Sequence, residues 1–406
     1  MTSTQTSSTQ QVTGLESASN VRNHAENKVP PRSTDDIRAL IPVLGLKEYW
    51  YPAIKDKRVG WKKPVFLRML GENLCLFRGK SGSVVALANA CPHRGAMLSN
   101  GKCEFKGLLS CFYHGFVFDE QGACVAALGE GPQSPMPGKV HARVYPTVTL
   151  KGIVFVWTGK GDPAPPSEDI PEEFFDPGKL VLHWSTEWPA NWRPCFENSF
   201  DSHPRYLHRN SVLMLTMPIP PPHFPLPGKP VRVGKHRLSS AYAVVGQTKR
   251  PSRPYQDYYP GLGAKWPRHR WRLAWTWIFD LVRKPFKWFP RYQASDEWET
   301  GQQLPCVIRI NYHTHMFTRW GVPVDANRTR LFYFHSAQRR SAIGRAYERL
   351  AFVLFHNWIL NKNFSGQDLP AAIRAYYDTP EFFAPTDAQV VQWRKMVLSA
   401  RGMEGR

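Results

Sequence analysis

The sequence has few acidic residues, no long apolar run and no internal repeat. Its 406 residues include 32 Asp and Glu against 53 Lys and Arg, so the formal net charge is +21. No stretch of 18 apolar residues occurs, which argues against a transmembrane helix. Residues 1–35 contain no apolar core of the kind that a secretory signal needs, so we expect a cytoplasmic protein.

The composition is that of a folded protein. Hydrophobic residues make up 42% of the chain and charged residues 21%, which excludes a wholly disordered, collagen-like or coiled-coil protein. The length suggests two domains. The seven cysteines are odd in number and no export signal is visible, so free thiols or metal ligands are favoured over a disulfide framework.

The texture of the sequence changes along the chain. Residues 1–35 are rich in Ser, Thr, Gln and Asn and are predicted to be a disordered tail. From Tyr49 onwards, short apolar runs alternate with turn residues, which predicts an all-β module ending in the strand 152–157. The Gly- and Pro-rich segment 161–166 is predicted to be a linker.

The part of the chain after the linker combines strands with helices, so we expect an α+β fold. Residues 307–312 and 329–334 alternate with a period of two, which predicts an antiparallel sheet with one solvent-exposed face. Residues 342–363 are predicted to be helical. A further helix is expected to begin with Thr386 as its N-cap.

The most specific motif consists of two Cys/His pairs, each within one short segment. Cys91-Pro92-His93 is followed, after seventeen residues, by Cys111-Phe112-Tyr113-His114. One turn can direct both side chains of each pair to one point. Zinc accepts two thiolates and two imidazoles, and so does a [2Fe–2S] cluster whose irons take unlike ligands.

The order Cys, His, Cys, His favours the cluster, because each segment then gives one ligand to each iron. The flanking residues also suggest β-hairpin tips rather than a helix. The pattern resembles the Rieske domain. The resemblance implies a β-sandwich domain over residues 44–160, with Cys91 and Cys111 on one iron and His93 and His114 on the other. A structural zinc site in an interaction protein remains the alternative.

Two residues depart from the usual Rieske pattern. The family usually has Pro after the second Cys and Trp after the His-Gly pair, where this chain has Phe112 and Phe116. These positions lie around the ligands, so they affect the reduction potential rather than ligation. The remaining cysteines are interpreted as buried structural thiols: Cys75, Cys103, Cys124, Cys195 and Cys306.

A second motif lies between Glu197 and His208. Two histidines five residues apart, taken alone, are typical of a protein surface. Together with the Rieske motif, Glu197-Asn198 and Asp201 leading to His203 and His208 resemble the catalytic domain of Rieske non-haem iron oxygenases, the large subunits of ring-hydroxylating oxygenases. The resemblance implies a catalytic domain over residues 168–406 that holds a mononuclear Fe(II) with open positions for O₂.

The resemblance implies His203 and His208 as iron ligands. Only Ser202 separates Asp201 from His203, whereas the family usually has two residues there, and some members place the first histidine where this chain has Pro204. The spacing therefore makes His203 the weaker assignment of the two histidines.

The third iron ligand is expected from a late helix. Asp368, which follows Phe364-Ser365-Gly366-Gln367, matches the late carboxylate segment of the family, and Asp378 is the reserve. His313 and His315 are substitute candidates for an iron-binding histidine. Their simpler interpretation is two polar positions on the solvent-exposed face of the sheet.

The resemblance implies a terminal oxygenase that hydroxylates, dihydroxylates or demethylates a hydrophobic, aromatic or polycyclic substrate. No glycine-rich nucleotide fingerprint is present, so electrons from NAD(P)H are expected through a separate reductase, with or without a ferredoxin. Asp201 is expected to link His208 to His114 of the partner subunit, which implies a homotrimer. The alternative is a Rieske electron carrier without oxygen chemistry.

The basic and aromatic segment 268–289 is the least specific feature. Its composition is compatible with peripheral contact to a membrane surface. A partly buried helix with a solvated basic face explains it more simply. No recognised nucleic-acid module accompanies the +21 charge, so no nucleic acid partner is expected, and an acidic ferredoxin accounts for the charge.

Overall fold

A computed structural model of the chain covers most of both predicted domains. The described residues are 37–198, 204–213, 228–232, 237–242, 261, 292, 300–312, 314–374, 379–384 and 387–404. The predicted tail 1–35 and the segment 268–289 lie outside the described residues. In the part of the chain that is described, no helix combines the length and apolar character needed to cross a membrane.

The first half is formed by short strands. The strands are β1 (Trp50–Lys55), β2 (Val65–Met69), β3 (Glu72–Arg78), β4 (Val84–Ala88), β5 (Leu109–Ser110), β6 (Phe116–Phe118), β7 (Cys124–Ala127), β8 (Val144–Tyr145), β9 (Thr147–Leu150) and β10 (Ile153–Trp157). Between residues 37 and 160, which are all described, helical structure is limited to α1 (Ile37–Leu40) and the 3-10 turns Asp56–Arg58, Leu98–Asn100 and Leu128–Glu130.

These strands form three antiparallel sheets, in the orders β1-β10-β9, β2-β3-β4-β8 and β5-β6-β7. β10 is buried along its whole length, which explains its unbroken sequence Ile-Val-Phe-Val-Trp. β-branched and aromatic side chains pack well on a pleated surface of this kind. The all-β module predicted from the short apolar runs is therefore confirmed.

The second half is one large sheet with helices. The strands are β11 (Lys179–Trp188), β12 (Gly228–Arg232), β13 (Arg237–Tyr242), β14 (Gly301–Gln303), β15 (Val307–Asn311), β16 (Met316–Asp325) and β17 (Arg328–Gln338). They pair antiparallel in the order β11-β17-β16-β15-β14-β13-β12. The α+β fold class and the antiparallel sheet are confirmed.

In the described part of this half, the helices lie mostly at its two ends in sequence. They are α2 (Pro166–Asp169), α3 (Trp192–Glu197), α4 (Pro204–Leu207), α5 (Ala342–Ala351), a π-helix (Phe352–Phe364), α6 (Leu369–Arg374) and α7 (Ala388–Leu398), with 3-10 turns at Glu172–Phe174 and Ser365–Gln367. The helix predicted over 342–363 is confirmed, although its second part is π-helical. Asp387, not Thr386, precedes α7, so the predicted N-cap is wrong.

The two halves share one hydrophobic core. The ring of Phe155 in β10 lies 5.3 Å from that of Phe174 and 5.6 Å from that of Trp320 in β16. The irregular segment that precedes α2 also packs closely, because Trp50 Nε1 donates a hydrogen bond to the carbonyl oxygen of Ala164 at 2.7 Å. The predicted linker therefore runs along the core rather than away from it.

The prediction of a solvent-exposed face on the large sheet is wrong. Arg309, which the alternating pattern assigns to that face, is 1% exposed. Its Nη2 donates to Glu173 Oε2 at 2.7 Å, and Thr318 Oγ1 donates to Glu173 Oε1 at 3.3 Å. Polar side chains can be buried when they find partners of this kind. The period-two pattern therefore separates apolar positions from polar positions that have a buried partner. It does not separate buried positions from solvent-exposed ones.

The Arg309–Glu173 ion pair predicts a large loss of stability when its acidic partner is neutralised. Glu173→Gln should lower the free energy of unfolding by about 3–5 kcal/mol, because a buried guanidinium then lacks its counter-charge. Glu187→Gln, at an exposed pair with Arg330, is the control and should cost less than about 1 kcal/mol. Denaturant unfolding followed by circular dichroism measures both, and equal losses would contradict the prediction.

Candidate metal centres

The two Cys/His segments have the same backbone hydrogen bonds. In each, the cysteine N–H donates to the carbonyl oxygen five residues later at 2.8 Å, for Cys91 and for Cys111. The glycine four residues after the cysteine donates back to the cysteine carbonyl, Gly95 at 2.8 Å and Gly115 at 3.1 Å. Both glycines have positive φ angles, +73° and +68°. Glycine adopts this conformation without steric cost.

Only the second segment is a hairpin tip. It joins β5 to β6, which pair antiparallel, as the sequence suggested. The first segment runs from β4 to the 3-10 turn Leu98–Asn100, so the prediction of two hairpin tips is wrong for this segment. The shared hydrogen-bond pattern, not a shared strand context, gives the two loops the same shape.

The four side chains converge with the thiols inside and the imidazoles outside. Cys91 and Cys111 are each 3% exposed, and the two thiols lie within hydrogen-bonding reach of each other. The rings of His93 and His114 lie 4.8 Å apart, nearer the surface. Burial raises the pKa of the Cys91 thiol to about 11. This donor set fits a cluster with thiolates on a buried iron and imidazoles on an outer one.

The two unusual phenylalanines differ in their surroundings. Phe116 is fully buried and its ring stacks on that of His93, with 4.5 Å between centroids. Phe112 is 57% exposed, as is its neighbour Tyr113 at 54%. The ring of Tyr113 lies 3.8 Å from that of His114. Phe116 therefore packs against the imidazole of His93 from the protein interior. Phe112 and Tyr113 form an apolar rim at the surface.

A second donor pair lies in the second half of the chain. His208 Nε2 and Asp368 Oδ1 are 3.0 Å apart, and the two residues are 3% and 4% exposed. Two atoms that bind one divalent metal at about 2.1 Å, at right angles, are about 3.0 Å apart. The pair therefore fits a mononuclear metal. Asp201 and His203 lie outside the described residues, as do the substitute candidates His313 and Asp378.

His208 is held against the segment that carries Asp368. Its ring stacks on Phe364, with 3.8 Å between centroids. Val212 N, close behind it in sequence, donates to Asn363 Oδ1 at 2.8 Å. His208 Nδ1 is buried, and among the described residues it has no hydrogen-bond partner. A buried imidazole nitrogen of this kind calls for a partner from the neighbouring chain segments.

Arg319 in β16 is the residue that the sequence interpretation missed. Its Nη1 donates to Asp368 Oδ2 at 2.7 Å and its Nη2 to the Cys195 carbonyl at 2.7 Å. Its guanidinium also lies over the ring of Trp188, 4.9 Å from the centroid. It therefore occupies one carboxylate oxygen of Asp368 and leaves the other towards His208. A charged residue within the apolar sequence of β16 was the available signal.

His315 belongs to a different group of side chains from the His208–Asp368 pair. It is 7% exposed, so its interpretation as a position on a solvent-exposed face is wrong. Its ligand nitrogen lies within 4.8 Å of those of His335 and His356, a group that includes neither His208 nor Asp368. All seven cysteines are buried and none forms a disulfide, in agreement with the sequence interpretation.

Comparisons with known proteins identify both halves of the chain. The family described as Rieske [2Fe-2S] domain matches residues 49–141, and the family described as homotrimeric ring hydroxylase matches residues 157–403. The terminal oxygenase component CarAa of carbazole 1,9a-dioxygenase from Metapseudomonas resinovorans is 32% identical over 379 residues, 87% of this chain and 90% of that protein. The chain belongs to the Rieske non-haem iron oxygenases.

Other similarities agree with this family. The 3-chlorobenzoate-3,4-dioxygenase oxygenase subunit from Comamonas testosteroni is 35% identical over 170 residues, 41% of this chain and 39% of that protein. The solved terminal oxygenase of carbazole 1,9a-dioxygenase from Nocardioides aromaticivorans IC177 has a TM-score of 0.68 at 24% identity, covering 90% of this chain and 97% of that one, and supports the fold.

The predictions of family, fold class, cofactor type and oxygen-incorporating activity are confirmed. The electron-carrier alternative is not supported, because the second half also matches an oxygenase family.

The close packing of the second loop predicts a specific sensitivity at Gly115. A Cβ there would lie 2.9 Å from Leu128 Cβ, in addition to the positive φ. Gly115→Ala should therefore lower the free energy of unfolding of the oxygenase by about 1–3 kcal/mol through overpacking, in addition to about 1 kcal/mol from backbone strain. Cluster content, measured as iron and acid-labile sulfide per chain, should fall.

Gly138→Ala is the matched control for this variant. Gly138 has a similar φ of +77°, but a Cβ there meets no atom within 4 Å. The Gly138→Ala variant should keep its cluster and lose only the stability that the backbone strain costs. Equal cluster content in the two variants would show that the contact with Leu128 does not matter for assembly of the site.

Proposed function

We propose that the oxygenase hydroxylates, dihydroxylates or demethylates a hydrophobic aromatic or polycyclic compound at a mononuclear iron. The observation that carries this proposal is the buried pair His208 Nε2 and Asp368 Oδ1, 3.0 Å apart, in a chain that also has the two Cys/His loops. A histidine and a carboxylate in a buried site are two members of the facial triad used by non-haem Fe(II) oxygenases.

The proposed ligands of the two metal centres follow from these positions. Cys91, His93, Cys111 and His114 hold the cluster, and His203, His208 and Asp368 hold the mononuclear iron. When bound, the cluster supplies single electrons and the iron provides the site for O₂ activation.

The protein contributes the geometry of the site. Arg319 fixes one oxygen of Asp368, and the Phe364 ring fixes the plane of His208. A buried cluster that includes Phe317, Tyr333 and Leu360 adjoins this site, since the Tyr333 hydroxyl lies 2.9 Å from Ser365 Oγ, and we propose that it favours a hydrophobic substrate.

We propose Asp201 as the residue that positions His208 and connects it to His114 of the partner subunit. The buried Nδ1 of His208 has no partner among the described residues, and a carboxylate seven residues earlier in the sequence can supply one. The imidazole side of the cluster site is the exposed side, which suits a contact between subunits. In a closed trimer each chain contacts the next in the same way, so every cluster site is paired with a mononuclear site of a neighbouring chain.

The names of the relatives suggest the kinds of substrate and partner. The proteins similar to this chain include oxygenase components named for carbazole and 3-chlorobenzoate, and one named a tert-butanol monooxygenase from Aquincola tertiaricarbonis. Several solved neighbours are complexes of carbazole 1,9a-dioxygenase oxygenase with ferredoxin. We therefore propose delivery of electrons from NAD(P)H through a reductase and an acidic ferredoxin, which the +21 charge favours, in the cytoplasm.

The decisive experiment combines metal analysis with labelled oxygen. The oxygenase is supplied with a reductase, a ferredoxin and carbazole as the probe substrate under ¹⁸O₂. Wild type should contain about three irons per chain and form labelled product. One or two ¹⁸O atoms in the product distinguish monooxygenation from dioxygenation. If carbazole is not oxidised, a panel of mono- and polycyclic aromatics tests the substrate class.

Variants at the proposed mononuclear site test the ligands. Asp368→Asn and His208→Gln should keep the visible spectrum of the cluster, fall to about two irons per chain and lose product formation. Asp378→Asn is the control and should keep about three irons and full activity. Loss of iron in the Asp378 variant, with iron retained in the Asp368 variant, would move the carboxylate ligand to Asp378.

The proposed role of Asp201 is tested separately. Asp201→Asn should retain both metal centres but slow the oxidation of the reduced cluster by O₂ in the presence of substrate by about 10–100-fold, because an amide orients the imidazole without its charge. Stopped-flow absorbance after anaerobic reduction measures this rate. A rate equal to that of wild type would remove Asp201 from the electron path.

A further inference from the structure

Three histidines lie together beneath the π-helix, outside the proposed iron site. His315 precedes β16, His335 is in β17 and His356 is in the π-helix. One potential ligand nitrogen from each lies within 4.8 Å of the others. His315 and His335 are 7% and 2% exposed, and the His356 side chain is 16% exposed. Nothing in the oxygenase chemistry described above uses this group.

The hydrogen bonds of two rings leave one nitrogen of each unused. Asn361 Nδ2 donates to Asn357 Oδ1, so Asn361 Oδ1 accepts from His335 Nε2 at 3.2 Å. The Nδ1 of His335 then carries a lone pair. The Nδ1 of His315 lies 3.2 Å from Thr314 Oγ1.

Within the described part of the chain, His335 Nδ1 and His315 Nε2 are buried without a hydrogen bond. Leaving two such atoms buried costs free energy unless a metal ion, an ordered water or another ligand binds them. The unused nitrogens therefore point to an occupant of the cluster.

The protonation state of the cluster is the one that metal ligation requires. Burial lowers the pKa of His335 to about 3 and that of His356 to about 4, and burial together with the neighbouring histidines lowers the pKa of His315 well below its usual value. All three rings are therefore neutral at pH 7, and a neutral imidazole offers a lone pair to a metal.

The charged neighbours of the cluster are balanced. The guanidinium of Arg339 opposes a cation nearby, but Glu348 Oε2 lies 2.9 Å from Arg339 Nη2 and offsets its charge. The other oxygen of Glu348 lies 3.8 Å from His356 Nδ1. At that separation the carboxylate makes no hydrogen bond to the ring, so it contributes a negative charge near the cluster rather than orienting His356.

We propose that His315, His335 and His356 bind one divalent transition-metal ion, with zinc the best match. Three neutral imidazoles with a fourth position for water form a common tetrahedral zinc site. In such a site the ligand nitrogens are about 3.3 Å apart. Binding therefore requires the nitrogens to move inward from a separation of up to 4.8 Å and the rings to rotate out of their nearly parallel planes, which differ by 12–22°. This inference does not depend on the proposed function.

The bound ion would connect the π-helix to the sheet near the iron site. His335 is two residues from Tyr333 on the same face of β17, a distance of about 6.8 Å along the strand. The Tyr333 hydroxyl lies 2.9 Å from Ser365 Oγ, beside Asp368. The π-helix that carries His356 leads directly into this segment. The ion therefore stabilises the part of the fold that positions the carboxylate.

The test measures zinc binding to the holoenzyme. The purified oxygenase is equilibrated with Zn²⁺, and zinc and iron per chain are measured by mass spectrometry. About one zinc should bind per chain with no loss of iron. His335→Gln and His356→Gln should each weaken zinc binding at least about tenfold. His183→Gln, a half-buried histidine on β11, is the matched control and should bind zinc as wild type does.

Two further measurements make the result decisive. Asp368→Asn should still bind zinc, whereas loss of binding there would mean that zinc had replaced the mononuclear iron. X-ray absorption at the zinc edge of the wild-type enzyme should show three imidazole ligands, and this readout does not depend on the stability of any variant. No zinc in wild type, equal zinc in the cluster variants, or sulfur ligands in the spectrum would overturn the proposal.

Discussion

The carboxylate of Asp368 is bound on two sides, and much of the catalytic half is arranged to keep it so. Transfer of an anion into a protein interior costs several kcal/mol unless opposite charge and hydrogen bonds replace water. Arg319 provides that compensation through one oxygen, while the other oxygen faces His208. The guanidinium is itself fixed by a carbonyl and an aromatic ring. Asp368 therefore has one orientation, with a single oxygen left for a metal.

The same principle explains why the large sheet has polar residues on both of its buried faces, with Arg309 on one face and Arg319 and Tyr333 on the other. β15, β16 and β17 carry Arg309, Arg319 and Tyr333 into the interior, and each has a polar partner from a helix or 3-10 turn. These contacts attach the helical segments to the sheet at defined points. A sheet with a purely apolar face would bury as much surface, but would leave the angle of the covering segments less strictly defined.

The sequence was sufficient where the site is local and insufficient where it is assembled from distant segments. The two Cys/His loops could be found because each is set by five or six consecutive residues with a glycine at a fixed place. The role of Arg319 could not be found, because its contact with Asp368 spans 49 residues and no short pattern encodes it. The period of two in β15 was correct, but Arg309 is buried against Glu173 rather than exposed. For the same reason His315 was assigned to a solvent-exposed face, whereas it lies with two histidines from other elements.

The distribution of exposure around the cluster site links the fold to an assembly of several chains. The cysteines are enclosed by β-strands, whereas His93 is exposed and aromatic side chains of Phe112 and Tyr113 extend beside the two imidazoles. Among the described residues the imidazole side of the site is the exposed one, so another chain can approach the histidines there. A surface of this kind in a family described as homotrimeric allows the outer ligands of one chain to meet the catalytic half of the next. Exposed aromatic side chains at such a contact would exclude water from it, lower the local dielectric constant and strengthen a hydrogen bond formed across it.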